Sequence, residues 1–367
     1  MQLATTPRPA TLSAVLCTLP AQTEMPAHIP LTPAVRLFAA SVLGVGLMLA
    51  GCAGRPSAAL PPTFVATGAF GERTRVLALA PGVIATIVAP TNFDAKQPVE
   101  LILYALPNGN TTAETMGRRM EPGPEGRPGW RYDIQHIGAQ TRALRARGLR
   151  QAVVVYLEAD TKSWPEWRRV RGYDVANKRI VEMVDELRAA IGSPAQLAVT
   201  LTGHSGGGSF MWGFLDGQVA LPSWLERIAF LDANYSFENR HAEQFTTWLR
   251  QDRRRTLVVL AYDDREIMLD GKKVVSDSGG TFRATQRMIE QLKHSFEFER
   301  DTLGEFDRYR APQVAMLVHP NPGNRILHTL MIGEMNGYMH ALLVRRPEYE
   351  RGEHVLRPVR AYASWVE

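Results

Sequence analysis

Cysteine is nearly absent: Cys17 and Cys52 are the only two in 367 residues. Two thiols supply no disulfide framework, so stability has to come from a packed core. Metal-ligand spacing is missing as well, and the one run of glycines, Gly206-Gly207-Gly208, is followed by Ser209-Phe210 rather than by a lysine. That excludes a phosphate-cradling loop of the nucleotide-binding type. The formal charge of +5 is scattered, and its densest patch, Arg253-Arg254-Arg255, abuts the apolar Leu257-Val258-Val259-Leu260. Such a patch reads as the solvated entry to a strand; with no aromatic-interleaved basic surface, nucleic acid is excluded as a partner. The uncharged run from Leu37 to Leu49 is too short for a membrane span, and no internal repeat appears. Any chemistry is therefore expected to proceed without metal or cofactor.

What the chain has is apolar residues, 45% of the total, enough for one large α/β domain or two small ones. Apolar β-branched runs alternate with helical patterns, which predicts a mostly parallel sheet covered on both faces. Arg75 to Leu79 and Val83 to Val88, separated by Pro81-Gly82, read as an opening antiparallel pair. Further strands are expected at 99–106, 152–157, 197–202, 227–232, 256–262 and 314–318. Helices are expected at 132–147, 173–190, 238–250, 281–294 and 328–344, with a short one running from the serine motif to about Gly217. The stretch from Met116 to Trp130 reads as surface loop, and Trp164-Pro165-Glu166-Trp167 as an aromatic loop. Trp164, Trp167, Tyr173 and Trp212 are candidates to line a cleft and stack on a sugar or aryl ring.

The chain is organised around Ala198-Val199-Thr200-Leu201-Thr202-Gly203-His204-Ser205-Gly206-Gly207. The pattern G-x-S-x-G after a β-branched run marks a sharp strand-to-helix turn with an exposed serine hydroxyl at its tip. Glycines on either side remove side chains that would clash across so tight a turn. Polar groups elsewhere also gather where strands end, the edge at which open α/β sheets bind ligands. Asn108-Gly109-Asn110 follows one strand, Asp232 another, and Asp263-Asp264 a third; His319 and His328 follow the last. In that order of parts, residues 64 to 350 resemble an α/β-hydrolase.

The resemblance implies an α/β-hydrolase fold and a Ser-His-Asp triad with Ser205 as nucleophile. It puts the base at His328, past the last strand, with His319 as the alternative. For the acid it favours Asp264, which falls at the matching spacing after a strand, then Asp263, then Asp232. The carboxylates not used are expected to serve as a helix cap or in loop hydrogen bonds. The oxyanion hole is expected to combine the N–H of Gly206 with a donor at Asn108. Among the other histidines, His204 is expected to point away from the serine hydroxyl, while His136, His241, His294, His340 and His354 read as solvated or capping residues. The expected reaction is ester hydrolysis through an acyl-enzyme on a small-molecule or glycan ester. A peptidase or amidase of the same fold and a non-catalytic envelope protein that binds glycans or a protein partner are the rival readings.

The N-terminus reads as a targeting segment. Arg36, the apolar run and Leu49-Ala50-Gly51-Cys52 resemble the lipobox of bacterial lipoproteins, which implies lipidation of Cys52. Residues 1–51 are then a signal peptide, with Met25 a possible true start, 52–63 a proline-containing tether, and 64–367 the hydrolase domain. The resemblance implies attachment to a membrane of the cell envelope, and Ala53 in place of an aspartate favours the outer one.

Overall fold

In the central strands apolar residues predominate on both faces, and the two cores show why. The computed structural model describes residues 60–61, 63–79, 81–120, 129–346 and 358–367. The expected signal peptide, Met25, Cys52 and nearly all of the tether lie outside the described residues. The chain opens with β1 (Val65–Thr67), β2 (Glu72–Ala78) and β3 (Val83–Ala89), followed by β4 (Val99–Ala105), α1 (Thr112–Met116) and α2 (Ile137–Ala146). Next come β5 (Ala152–Ala159), α3 (Trp164–Arg171), α4 (Tyr173–Ala190), β6 (Leu197–His204) and α5 (Gly208–Asp216). Then follow β7 (Leu225–Leu231), α6 (Asn239–Gln251) and β8 (Thr256–Tyr262), and after them a small hairpin of β9 (Met268–Leu269) and β10 (Lys272–Lys273). The chain continues through α7 (Thr281–Leu292), β11 (Glu299–Leu303), β12 (Phe306–Ala311), β13 (Val314–His319) and α8 (Gly337–Leu343).

The main sheet has eleven strands in the order β1-β2-β3-β5-β4-β6-β7-β8-β13-β12-β11. From β5 through β13 every neighbouring pair is parallel, while both flanks are antiparallel. Side chains alternate between faces along a strand, so a strand covered on both sides is predominantly apolar rather than alternating. In β4, Leu101, Leu103 and Ala105 pack on one side with α3, α4, α5, α6 and α7, and Ile102 and Tyr104 on the other with α2 and α8. β8 divides likewise: Leu257, Val259 and Ala261 on the first face, Val258, Leu260 and Tyr262 on the second. With parallel strands aligned, the carboxyl ends of β4, β6, β7 and β8 lie along one edge.

Several elements differ from the sequence-based expectation. The stretch at Trp164 is helical: Ser163 caps α3 by accepting from Glu166 N at 3.3 Å, and Pro165 sits in the first turn, where no intrahelical donor is lost. Its two tryptophans are fully buried, meet edge to face at 5.4 Å, and Trp164 Nε1 donates to the Leu157 carbonyl oxygen. Trp212 is buried against Phe230 in the same core. These three side chains are core packing rather than cleft lining, and Tyr173 is an exposed residue at the start of α4. The expected helix over 132–147 begins only at Ile137, because His136 adopts a left-handed conformation (φ 50°). The segment 328–336 is a set of turns; Asn336, also left-handed, ends them and α8 starts after it. Part of the expected 116–130 loop, residues 121–128, lies outside the described residues.

The β11–β12 hairpin had no sequence signal because it is charged. Glu299–Arg310 at 2.7 Å and Asp301–Arg308 at 2.5 Å pair directly across it, as suits the exposed margin of a sheet.

Close packing at the start of α5 is one of the fold's least forgiving points. A Cβ on Gly207 would collide with the carbonyl oxygen of Ala105 in β4, and one on Gly208 with that of Ala233. Both obstacles are backbone, so they cannot swing aside. Gly207→Ala is expected to cost at least about 3 kcal/mol of stability, the range of severe core disruptions, read from urea unfolding. A loss under about 1 kcal/mol would show that the elbow and β4 can separate.

Candidate active site

At the carboxyl end of β6 the chain turns on Ser205, whose φ is 55°. A non-glycine residue in the left-handed region is strained. It is held there because β6 is locked between β4 and β7, and because the glycines after it let α5 pack against β4. Ser205 is partly exposed.

Asn108 and Gly206 are brought together: a Cβ on Gly206 would overlap the Asn108 side chain. The loop carrying Asn108 is pinned on both sides of Gly109, whose N–H donates to Lys162 O at 2.7 Å and whose carbonyl accepts from Arg131 Nη1 at 2.6 Å. Gly109 itself has a φ of 76°, which explains the glycine in that turn.

His328 arrives from the turns after β13. Its ring lies against that of His204, the residue before Ser205, at a centroid distance of 4.5 Å. His328 is one-quarter exposed, and its Nδ1 is hydrogen-bonded to Asp232 Oδ2. A carboxylate can only accept, so Nδ1 carries the proton, and in neutral His328 the lone pair is on Nε2. Asp232 ends β7 in a left-handed conformation of its own (φ 48°), with its N–H on Leu260 O at 2.7 Å. Its other oxygen accepts from Thr281 Oγ1.

The carboxylate on the histidine is thus Asp232, not the favoured Asp264 nor Asp263. Asp264 turns to the amino terminus of α7, where Oδ2 accepts from Thr281 N at 2.8 Å. Asp263 is held in a two-pronged pair with Arg265, at 2.8 and 2.6 Å. Spacing along β8 brings a carboxylate to the right edge of the sheet, but a tertiary contact decides which one meets the imidazole. His319 is engaged elsewhere: its Nδ1 accepts from Asn321 N at 2.9 Å, its Nε2 is 3.6 Å from Glu305, and its ring meets Phe306 edge-on.

Two supporting residues escaped sequence reasoning. His204 is fully buried; its Nε2–H donates to the backbone carbonyl of His328 at 3.0 Å, and Nδ1 lies 3.3 Å from the Gln135 side-chain amide. Burial first, and the neighbouring His328 second, push its pKa well below the usual value, so it is a neutral brace for the His328 backbone. Asn321 ties the same segment to β8, its Nδ2 donating to the carbonyls of Asp263 and Arg325. Three histidines read as solvated or capping are also buried: His136 on Asp133 at 2.7 Å, His340 in α8, and His241, which does cap α6 by accepting from Glu238 N at 2.9 Å and meets Asp216 at 2.9 Å; His354 lies outside the described residues. Among the described residues no group of three or more His, Cys, Asp or Glu could hold a metal ion.

The strand order, the swapped β4 and β5, the serine turn after β6 and the carboxylate and histidine at later strand ends define the architecture. This is an α/β-hydrolase fold. No family model matches the chain, and no curated protein matches it. Among solved structures it is similar to a siderophore hydrolase from Aspergillus nidulans, at 13% identity and TM-score 0.40, over 78% of this chain and 96% of that one. It is also similar to the feruloyl esterase module of Clostridium thermocellum complexed with sinapinate, at 12% identity and TM-score 0.37, over 76% and 92%. A thermostable esterase shares 10% identity at TM-score 0.38 over 68% of this chain, which spans only 55% of that protein's length. Likeness this distant says nothing of substrate or mechanism, which have to rest on this chain's own geometry.

Burial first, and the neighbouring Asp232 second, lift the Asp264 carboxyl to a pKa of about 6. The folded state therefore holds this proton more tightly than the unfolded chain does. The stability it contributes is complete below the unfolded carboxyl's pKa and is lost as pH rises through about 6. Denaturant unfolding of the wild type and Asp264→Asn is expected to show the variant gaining stability relative to wild type between about pH 4 and pH 6. Parallel pH profiles for the two proteins would mean that Asp264 titrates normally.

Proposed function

We propose that the chain is a serine hydrolase that cleaves a carboxylic ester through an acyl-enzyme, with Ser205, His328 and Asp232 as its triad. The observation that carries this reading is the hydrogen bond from His328 Nδ1 to Asp232, made beside a strained serine turn. A serine hydroxyl is a weak nucleophile at neutral pH and needs a base whose tautomer is fixed by a third group. Asp232 supplies that fixation, leaving His328 Nε2 to take the Ser205 proton as Oγ attacks the ester carbonyl. The tetrahedral oxyanion is stabilised by the N–H of Gly206 and a donor from the Asn108 loop. His328 returns the proton to the departing alcohol. It then draws a proton from water, which attacks the acyl-serine, and the acid and Ser205 are released.

An ester is preferred to an amide because an alcohol leaves more easily than an amine. Matched ester and amide substrates are expected to show the ester turned over faster; the reverse would make the protein an amidase or peptidase. The lipobox at Cys52 supports a further reading, that the protein is attached to a membrane of the bacterial envelope, the outer one favoured by Ala53. Cys52→Ser is expected to release it from the membrane fraction, and a variant that still sediments with membranes would count against the anchor.

Labelling by a fluorophosphonate is expected for the wild type and not for Ser205→Ala. Equal labelling of the two would remove the catalytic reading and leave a binding protein. Asp232→Asn is expected to lower kcat by roughly 10³ to 10⁴. Asp264→Asn, which does not touch the imidazole, is expected to cost less than about tenfold. Comparable losses in the two variants would overturn the choice of acid.

A further inference from the structure

At the opposite edge of the sheet, where the parallel strands begin, lies a cleft of about 370 Å³ lined by Glu100, Ala198, Thr200, Glu226, Thr256 and the arginines 227, 253, 254, 345 and 346. Ser205 lies seven residues along the chain from Ala198 here, roughly 23 Å at the rise of an extended strand. The two sites do not overlap.

Among the described residues, five guanidinium groups face two carboxylates in this cleft, an excess of three positive charges. Asp252, just outside it, pairs with Arg254 at 2.7 Å and reduces the excess to two. The carboxylates present are already engaged. Glu100 is held by Arg346 and by Thr200 Oγ1 at 2.7 Å, and Glu226 by Arg254 at 3.1 Å.

Arg227 is the unusual member. It is buried, and among the described residues it has no ion pair. Its Nη1 and Nη2 each donate, at 3.1 Å, to the carbonyls of Ala341 and Val344 at the end of α8, while its buried Nε has no partner. Capping that helix end uses two of five donor protons. Burial first, and Arg346 second, depress its pKa to about 9, against the pull of Glu100 and Glu226. Arg253, on the rim, is exposed and also without an ion pair among the described residues.

We infer that this cleft is a binding site for a phosphate-bearing anion, in which the buried Arg227 and the rim Arg253 supply the unclaimed donors. Arginine forks match tetrahedral oxyanions, and an excess of two to three charges suits a dianion better than a single carboxylate. The volume admits a phosphate together with a small organic group. The same phosphate chemistry is offered by a soluble monoester and by an anionic lipid headgroup.

The test titrates the full-length protein with inorganic phosphate against sodium chloride at matched ionic strength, following Tm. Phosphate at 100 times its Kd is expected to raise Tm by roughly 5 °C. Arg253→Glu, an exposed change that leaves the fold intact, is expected to weaken phosphate binding at least tenfold while ester hydrolysis is unchanged. Glycerol phosphate and vesicles of phosphatidylglycerol in phosphatidylcholine then distinguish the sources. Retention on the vesicles that phosphate competes away assigns the site to a headgroup, and saturable binding of glycerol phosphate without retention assigns it to a soluble ligand. The inference fails if phosphate does no more than chloride, if Arg253→Glu binds phosphate like the wild type, or if vesicle retention is indifferent to phosphate.

Discussion

The hydrogen bond between His328 Nδ1 and Asp232 is the constraint on which the site depends, because it ties together two segments ninety-six residues apart. Neither partner could hold the geometry alone. Asp232 is fixed by its backbone bond to β8 and by Thr281 on its second oxygen. His328 sits on a segment without regular structure, and its backbone is braced from below by the buried, neutral His204. The sheet supplies the rest: parallel strands buried on both faces cannot shift register by one residue without exchanging their two cores.

Thr281 joins the two carboxylates at the ends of β7 and β8. Its hydroxyl serves Asp232 and its backbone N–H serves Asp264, so the first residue of α7 meets both. Asp264, lifted to a pKa of about 6 by burial and by Asp232, adds its charge beside the pair that orients His328 only as pH rises through that value. Two acidic side chains at neighbouring strand ends thereby divide into one that faces the histidine and one that caps a helix.

Much of this was legible in the residues. The apolar runs of β8 and the long amphipathic pattern of α4 were readable to their end residues, since two-sided burial and an uninterrupted helical stripe leave little ambiguity. The serine turn was marked by glycines that the β4 backbone requires. What could not be read were facts of tertiary contact. Asp232 and Asp264 both end strands at the same edge, and only the path of the 320–328 segment across it selects Asp232. Trp164-Pro165-Glu166-Trp167 looked like a break because of its proline, although Ser163 and Glu166 carried a helix-start signal. The β11–β12 hairpin has charged side chains on both strands, so neither period nor hydrophobicity announced it. His204 looked incidental at a variable position, and its role exists only through the carbonyl it holds.

The two ends of the sheet also differ in kind. At the carboxyl ends a strained serine turn lies beside a histidine paired with a buried aspartate, and at the amino ends arginines outnumber carboxylates around a cleft. The central claim concerns the first. The proton on His328 Nδ1, shared with a buried carboxylate, should give a far-downfield resonance in the proton NMR spectrum. It is predicted to persist in Asp264→Asn and to vanish in Asp232→Ala and His328→Ala. A resonance that survives the loss of Asp232 but not that of Asp264 would contradict the account.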